Sequence, residues 1–169
     1  MNHLANKWLT TLLNYGLLFT LFIACSSAKQ ISATATQEEI AQAINNDHWN
    51  FTADYAMPSY GRSRSLTSGY TVTCRKDSLD VQLPYYGKLN SPAGALNGNP
   101  LEFQSTDFKL TKENKKGGGW IVTIKSANPE VQSMVFTFFD NGSAQLNITM
   151  TNRSGINFSG KVSPIRSSK

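Results

Sequence analysis

The chain has 169 residues, 16 Lys and Arg against 11 Asp and Glu, a net charge of +5, two cysteines and two histidines. So small a basic excess makes no case for a nucleic-acid partner. Two cysteines and two histidines exclude a disulfide framework and a histidine-rich metal site, and the length suits one domain with a real core.

Residues 1–24 read as a secretory signal: Lys7 supplies positive charge, and an apolar run from Tyr15 ends in Leu21-Phe22-Ile23-Ala24-Cys25. A small residue before a cysteine at that place resembles a bacterial lipobox, in which the chain is cut before the cysteine and its thiol carries lipid. A membrane-spanning helix is the alternative, but Trp8–Ala24 is 17 residues, at the lower limit for spanning, and Asn14 interrupts it. No acidic run follows Cys25, so the expected address is the periplasmic face of the outer membrane, with the lipid as the membrane contact. In the mature chain Cys74 is then the one free thiol and His48 the one histidine. No intramolecular disulfide can form, and a histidine-rich metal site or a Ser/His/Asp triad hangs on His48 alone or fails. No cofactor is expected.

Residues 25–35 are small and polar and read as a flexible tether; 36–169 read as a single β-rich domain. Thr36 and Glu39 have capping-box spacing, and Ile40, Ala43 and Ile44 share a helical face, which predicts a short helix over Gln37–Asn46. Trp49, Phe51, Ala53, Tyr55 and Met57 alternate and predict a strand with all five on one face, ended by Pro58. Tyr70–Lys76 and Leu79–Leu83 form the next pair, turned by Lys76-Asp77-Ser78. Ser91–Pro100 is an irregular excursion. Leu101–Phe103 and Phe108–Leu110 are apolar at odd and then even positions, so a bulge or break near Ser105 resets the register. Trp120–Lys125 and Met134–Phe139 are apolar on both faces, so they are expected to be central or doubly covered. Asn141-Gly142 predicts a type I′ hairpin into the alternating Ala144, Leu146, Ile148 and Met150. Ile156, Phe158 and Val162 close the series. The fold class expected is mainly β: about eight mostly antiparallel strands, barrel-like or in two layers, with one short N-terminal helix.

Several of these residues carry a resemblance. Leu83-Pro84-Tyr85-Tyr86-Gly87, Gly118-Gly119-Trp120, and the run Asn141-Gly142, Ala144, Leu146, Ile148, Asn152-Arg153, Ile156, Phe158, Gly160 stand in an order and spacing similar to a Bacteroidota lipoprotein family, domain of unknown function 4251. The resemblance covers about residues 37–163. Lys88-Leu89-Asn90 departs from the family pattern after Gly87. It implies an exported lipoprotein and supplies no catalytic residue.

Tyr85 and Tyr86 are candidate ligand or interface residues, since tyrosine offers a ring face and a polar tip between Pro84 and Gly87. The competing reading is a structural corner. Alternation from Leu79, Val81 and Leu83 turns Tyr85 inward and Tyr86 outward. Arg153, in a turn, can bind a carboxylate or pin a hairpin. Asp77-Ser78-Leu79 resembles a Bacteroidota O-glycosylation acceptor, which makes Ser78 a candidate modification site. Lys109, Lys112, Lys115 and Lys116, with Arg62 and Arg64, can touch anionic headgroups or blunt strand edges. Asp77 and Asp80 read as solvated, and Cys74 as a packing residue. The expected function is a lipid-anchored, non-enzymatic envelope protein binding a small apolar or glycan ligand. The alternatives are an accessory subunit that uses a sheet edge or aromatic patch on a protein partner, and an enzyme of unrecognised type.

Overall fold

The computed structural model describes residues 27–67, 69–88 and 100–165, and for residues 27–35 the backbone alone. Cys25 and the signal segment lie outside the described residues. Two compact units divide between Thr36 and Gln37. Of the first, the described part is the start of helix α1, Ser27–Asn45. The helix therefore begins ten residues before Gln37, and the expected tether is helical from Ser27. Residues 27–36 are rich in Ala, Ser and Thr and hold no Gly or Pro, so nothing in their sequence breaks a helix.

The second unit is a sheet of ten strands: β1 Trp49–Pro58, β2 Arg64–Ser65, β3 Thr71–Arg75, β4 Ser78–Leu83, β5 Leu101–Ser105, β6 Phe108–Asn114, β7 Trp120–Ser126, β8 Val131–Phe138, β9 Ser143–Met150 and β10 Ile156–Pro164. Their order is β5-β4-β3-β1-β10-β9-β8-β7-β6, with β2 paired beside β1. Every ladder is antiparallel. An even number of ladders separates β5 from β6, so both run the same way. Only Thr106 and Asp107 stand between them. They are the two halves of one bent strand, whose first half pairs with β4 and second half with β7. This handover nearly closes the sheet into a barrel, with the stagger that closure requires. It is also the break expected near Ser105, whose hydroxyl donates to the Asp107 carbonyl at 2.8 Å.

Inward residues fill the barrel. Trp49, Phe51, Phe136, Phe138, Phe158, Leu146 and Ile148 are buried in one cluster with Val72, Cys74, Leu79 and Val81. The Trp49 ring meets Phe136 and Phe138 edge-on at 5.0 and 4.9 Å. From α1, Ile40, Ala43 and Ile44 join the same core. The helix ends at Asp47 in the left-handed region, φ 53°. Asp47 N–H donates to the Ile44 carbonyl and His48 N–H to the Ala43 carbonyl, the paired bonds of a Schellman end. Lys112 of β6 completes it, its Nζ 2.6 Å from the Ile44 carbonyl, 2.9 Å from that of Asn45 and 2.7 Å from Asp47 Oδ1. Lys112 thus belongs to a helix cap, not to a surface lysine cluster.

Two expectations change, and that of central strands at β7 and β8 holds. A bulge between Ala53 and Tyr55 reverses the alternation of β1, so Ala56 is buried while Tyr55, 46% exposed, and Met57 stand on the outer face. β7 and β8 are central, yet the outward Ile121, Thr123, Val135 and Thr137 are half-buried rather than covered by a second layer. The β8–β9 hairpin turns at Asn141-Gly142 without being type I′. Gly142 has φ 82° but Asn141 is not in the left-handed region, and Gly142 N–H donates to the Phe139 carbonyl. That is a type I turn followed by a left-handed glycine, the three-residue hairpin.

Candidate functional site

α1 meets the sheet where β1 begins; the candidate site lies where β1 ends. Three segments converge there: Ser59 and Tyr60 after β1, Pro84–Lys88 after β4, and residues 151–155 between β9 and β10. Ser59 Oγ donates to the Gly155 carbonyl at 2.7 Å and ties the first to the third.

Tyr85 ties the second to the third. Its side chain turns inward and is 4% exposed. Tyr85 Oη donates to the Ser154 carbonyl at 2.9 Å and meets Ser154 Oγ at 3.2 Å. Lys88 N–H donates to Ser154 Oγ at 2.9 Å, and Ser154 N–H donates to the Lys88 carbonyl at 2.9 Å. With Oγ accepting from Lys88, its own proton is free for Tyr85 Oη, so the buried hydroxyls are mutually satisfied. Gly87 is required here: a Cβ would lie 2.2 Å from Tyr85 Oη and 2.5 Å from Ser154 Oγ. The Leu-Pro-Tyr-Tyr-Gly stretch is first of all a corner, locked to a turn nearly seventy residues on.

Cations lie over the tyrosines of this corner. Arg153 stands 5.1 Å from the Tyr85 ring centroid, Arg64 4.7 Å from Tyr86, and Lys88 5.5 Å from Tyr60. Arg153 is held by Glu130 at 3.3 Å, with its side chain only 10% exposed. It pins the corner rather than waiting for a ligand. Arg64 and Lys88 differ: among the described residues neither has a carboxylate within salt-bridge distance. Tyr60 is 60% exposed and Tyr86 half-buried. These four form an aromatic and cationic rim around a closed corner.

Sequence reasoning named Tyr85, Tyr86 and Arg153, and the structure brings all three together. It missed Tyr60, Lys88 and Ser154, which nothing in their local sequence distinguishes. Ser78 lies elsewhere, as the half-buried first residue of β4, with Leu79 of its motif fully buried. Asp80 is on the outer face, where the Gln82 and Gln104 amides donate to it at 3.4 Å. Burial pushes the Cys74 thiol up to about 12, with the Asp47 carboxylate adding to the shift, so it is a packing residue and no nucleophile. Among the described residues no three His, Cys, Asp or Glu gather as a metal site, and no helix is long and apolar enough to cross a membrane.

A family model described as domain of unknown function (DUF4251) matches residues 32–162. Among solved structures, the chain is similar to the crystal structure of a DUF4251 family protein from Bacteroides eggerthii DSM 20697. Identity is 15%, the match covers 80% of this chain and 91% of that one, and the TM-score is 0.59. At that identity the likeness shows the fold. No curated protein matches.

Proposed function

The chain belongs to the DUF4251 family, and from that premise we propose that it is a lipid-anchored, non-enzymatic protein of the cell envelope that recognises a partner with the rim of Tyr60, Arg64, Tyr86 and Lys88. The observation that carries this reading is the pair of cations, Arg64 and Lys88, set over tyrosine rings with no carboxylate within salt-bridge distance among the described residues. Tyrosine and arginine supply most of the energy at protein interfaces, and an unneutralised guanidinium favours a partner carrying carboxylates. The interior is occupied by its own aromatic side chains, which argues against a small apolar ligand inside the barrel and for contact from outside. The corner's hydroxyls are spent on backbone and on each other, which supports a binding rather than a chemical role.

Attachment rests on Cys25, at the end of the apolar run. A thiol-linked diacyl lipid with an acylated amine exceeds what stable membrane attachment requires. The address is the periplasmic face of the outer membrane. The reading is tested by purifying the full chain from its host in detergent at low and high salt. A partner held through Arg64 and Lys88 dissociates as salt rises, and Arg64→Ala or Lys88→Ala releases it at low salt with melting unchanged. A partner indifferent to salt and to both substitutions rejects the rim.

A further inference from the structure

The bulge in β1 turns Tyr55 and Met57 outward, onto a face the alternating sequence hides. Met57 there lines a groove of about 370 Å³ across the outer side of β8, β9, β10 and β1. Its other outward side chains are Val135 and Thr137 of β8, Gln145 and Asn147 of β9, and Asn157 of β10. None is charged. Asn147 Nδ2 donates to Asn157 Oδ1, its partner in register, so the two amides hold each other's orientation across the strands. Tyr55, two residues before Met57 and opposite Ser159, is one of the two exposed large hydrophobic side chains among the described residues.

We infer that this groove is a binding site for a neutral glycan. Amides and hydroxyls each offer both donors and acceptors, which is what a polyol presents. An anionic or cationic ligand calls for an opposite charge in the lining, and the lining has none. A lipid chain calls for an apolar channel, whereas the outward side chains here are Gln, Asn and Thr with one Val and one Met, and the apolar Leu146 and Phe158 beneath them are buried in the core. Met57 supplies apolar surface at the groove's edge against which the C–H face of a sugar ring packs. The volume lies within the range of small-molecule sites, and the groove is open to solvent, so a sugar within a longer chain fits as well as a free one.

The site is distinct from the rim, and its test separates the two. The full chain in detergent is applied to an array of neutral gluco-, manno-, galacto- and xylo-oligosaccharides, with oligogalacturonates as acidic counterparts. Wild type binds at least one neutral series. Asn147→Asp, near-isosteric but charged, and Met57→Ala each weaken that binding at least tenfold with melting temperature unchanged, while Tyr86→Ala leaves it intact. Should Asn147→Asp perturb folding, Met57→Ala decides alone. The inference is overturned if no neutral series binds, if oligogalacturonates bind better, if both groove variants bind as wild type does, or if Tyr86→Ala abolishes binding.

Discussion

Tyr85 and Tyr86 are neighbours in sequence with opposite duties. Tyr85→Phe removes a hydroxyl from a closed set and leaves Ser154 Oγ and the Ser154 carbonyl short of a partner, a loss of about 1–3 kcal/mol for buried groups. Tyr85→Ala adds a cavity and should cost more, roughly 3–5 kcal/mol. Tyr86→Ala, at a half-buried ring packed against the edge of the core, should cost less, about 1–2 kcal/mol. Denaturant midpoints check all three, and a Tyr86 variant as unstable as the Tyr85 one would contradict the division. Alternation along β4 reveals this division without a structure. What the sequence hides is Ser154, because no local pattern announces a hydrogen bond across so long a separation. Cys74 makes a second residue-scale prediction. Its pKa is raised in the folded state, from 9.0 to about 12. The stability linked to the neutral thiol is complete below about 9 and is lost as pH rises towards 12, since there the unfolded chain gives up the proton first. Melting temperature should therefore fall across that range more steeply in wild type than in Cys74→Ala; parallel curves would refute the shift.

At the scale of elements, α1 is fastened at its end. Lys112 satisfies two terminal carbonyls and Asp47 together. Lys112→Met keeps most of the stem's packing but frees those groups, so hydrogen exchange should quicken at Ala43–His48 while the β8–β9 amides stay protected. Uniform loss across the barrel would show that Lys112 supports more than the helix end. Gly142 fastens the other partner of that contact. A Cβ there meets Ile40 Cδ1 at 3.1 Å, and φ is 82°. Gly142→Val should lower stability by about 1–3 kcal/mol, seen as a drop in melting temperature. The hairpin at Asn141-Gly142 is visible from sequence; its type is not, because Asn-Gly suits a type I′ turn as well as a type I turn closed by a left-handed glycine. The β1 bulge is hidden for a related reason. Trp49 to Met57 alternates without a break, and the resetting residue shows only against β10.

For the whole molecule, antiparallel order follows from hairpin-length connections and period-two patterning, while ten strands stand where about eight are expected, because β2 has only two residues and β5 and β6 divide one apolar stretch. Closure does not follow, because it depends on β5 and β6 acting as one bent strand, and the sequence shows only that the register changes at Ser105. Closure around Trp49, Phe51, Phe136 and Phe138 fills the interior, so the proposed recognition falls to the outer surface. Anchoring belongs to this scale as well. Cys25→Ser should leave uncleaved precursor or move the protein out of the detergent phase, and identical partitioning of wild type and variant would overturn the lipid anchor. The central claim, recognition from outside a filled barrel, is tested most directly by native mass spectrometry of the full chain purified from its host, beside a Tyr60→Ala/Tyr86→Ala variant. The account predicts a wild-type mass accompanied by a partner that the variant loses, with no apolar small molecule retained by both. A stoichiometric apolar molecule carried equally by wild type and variant would contradict it.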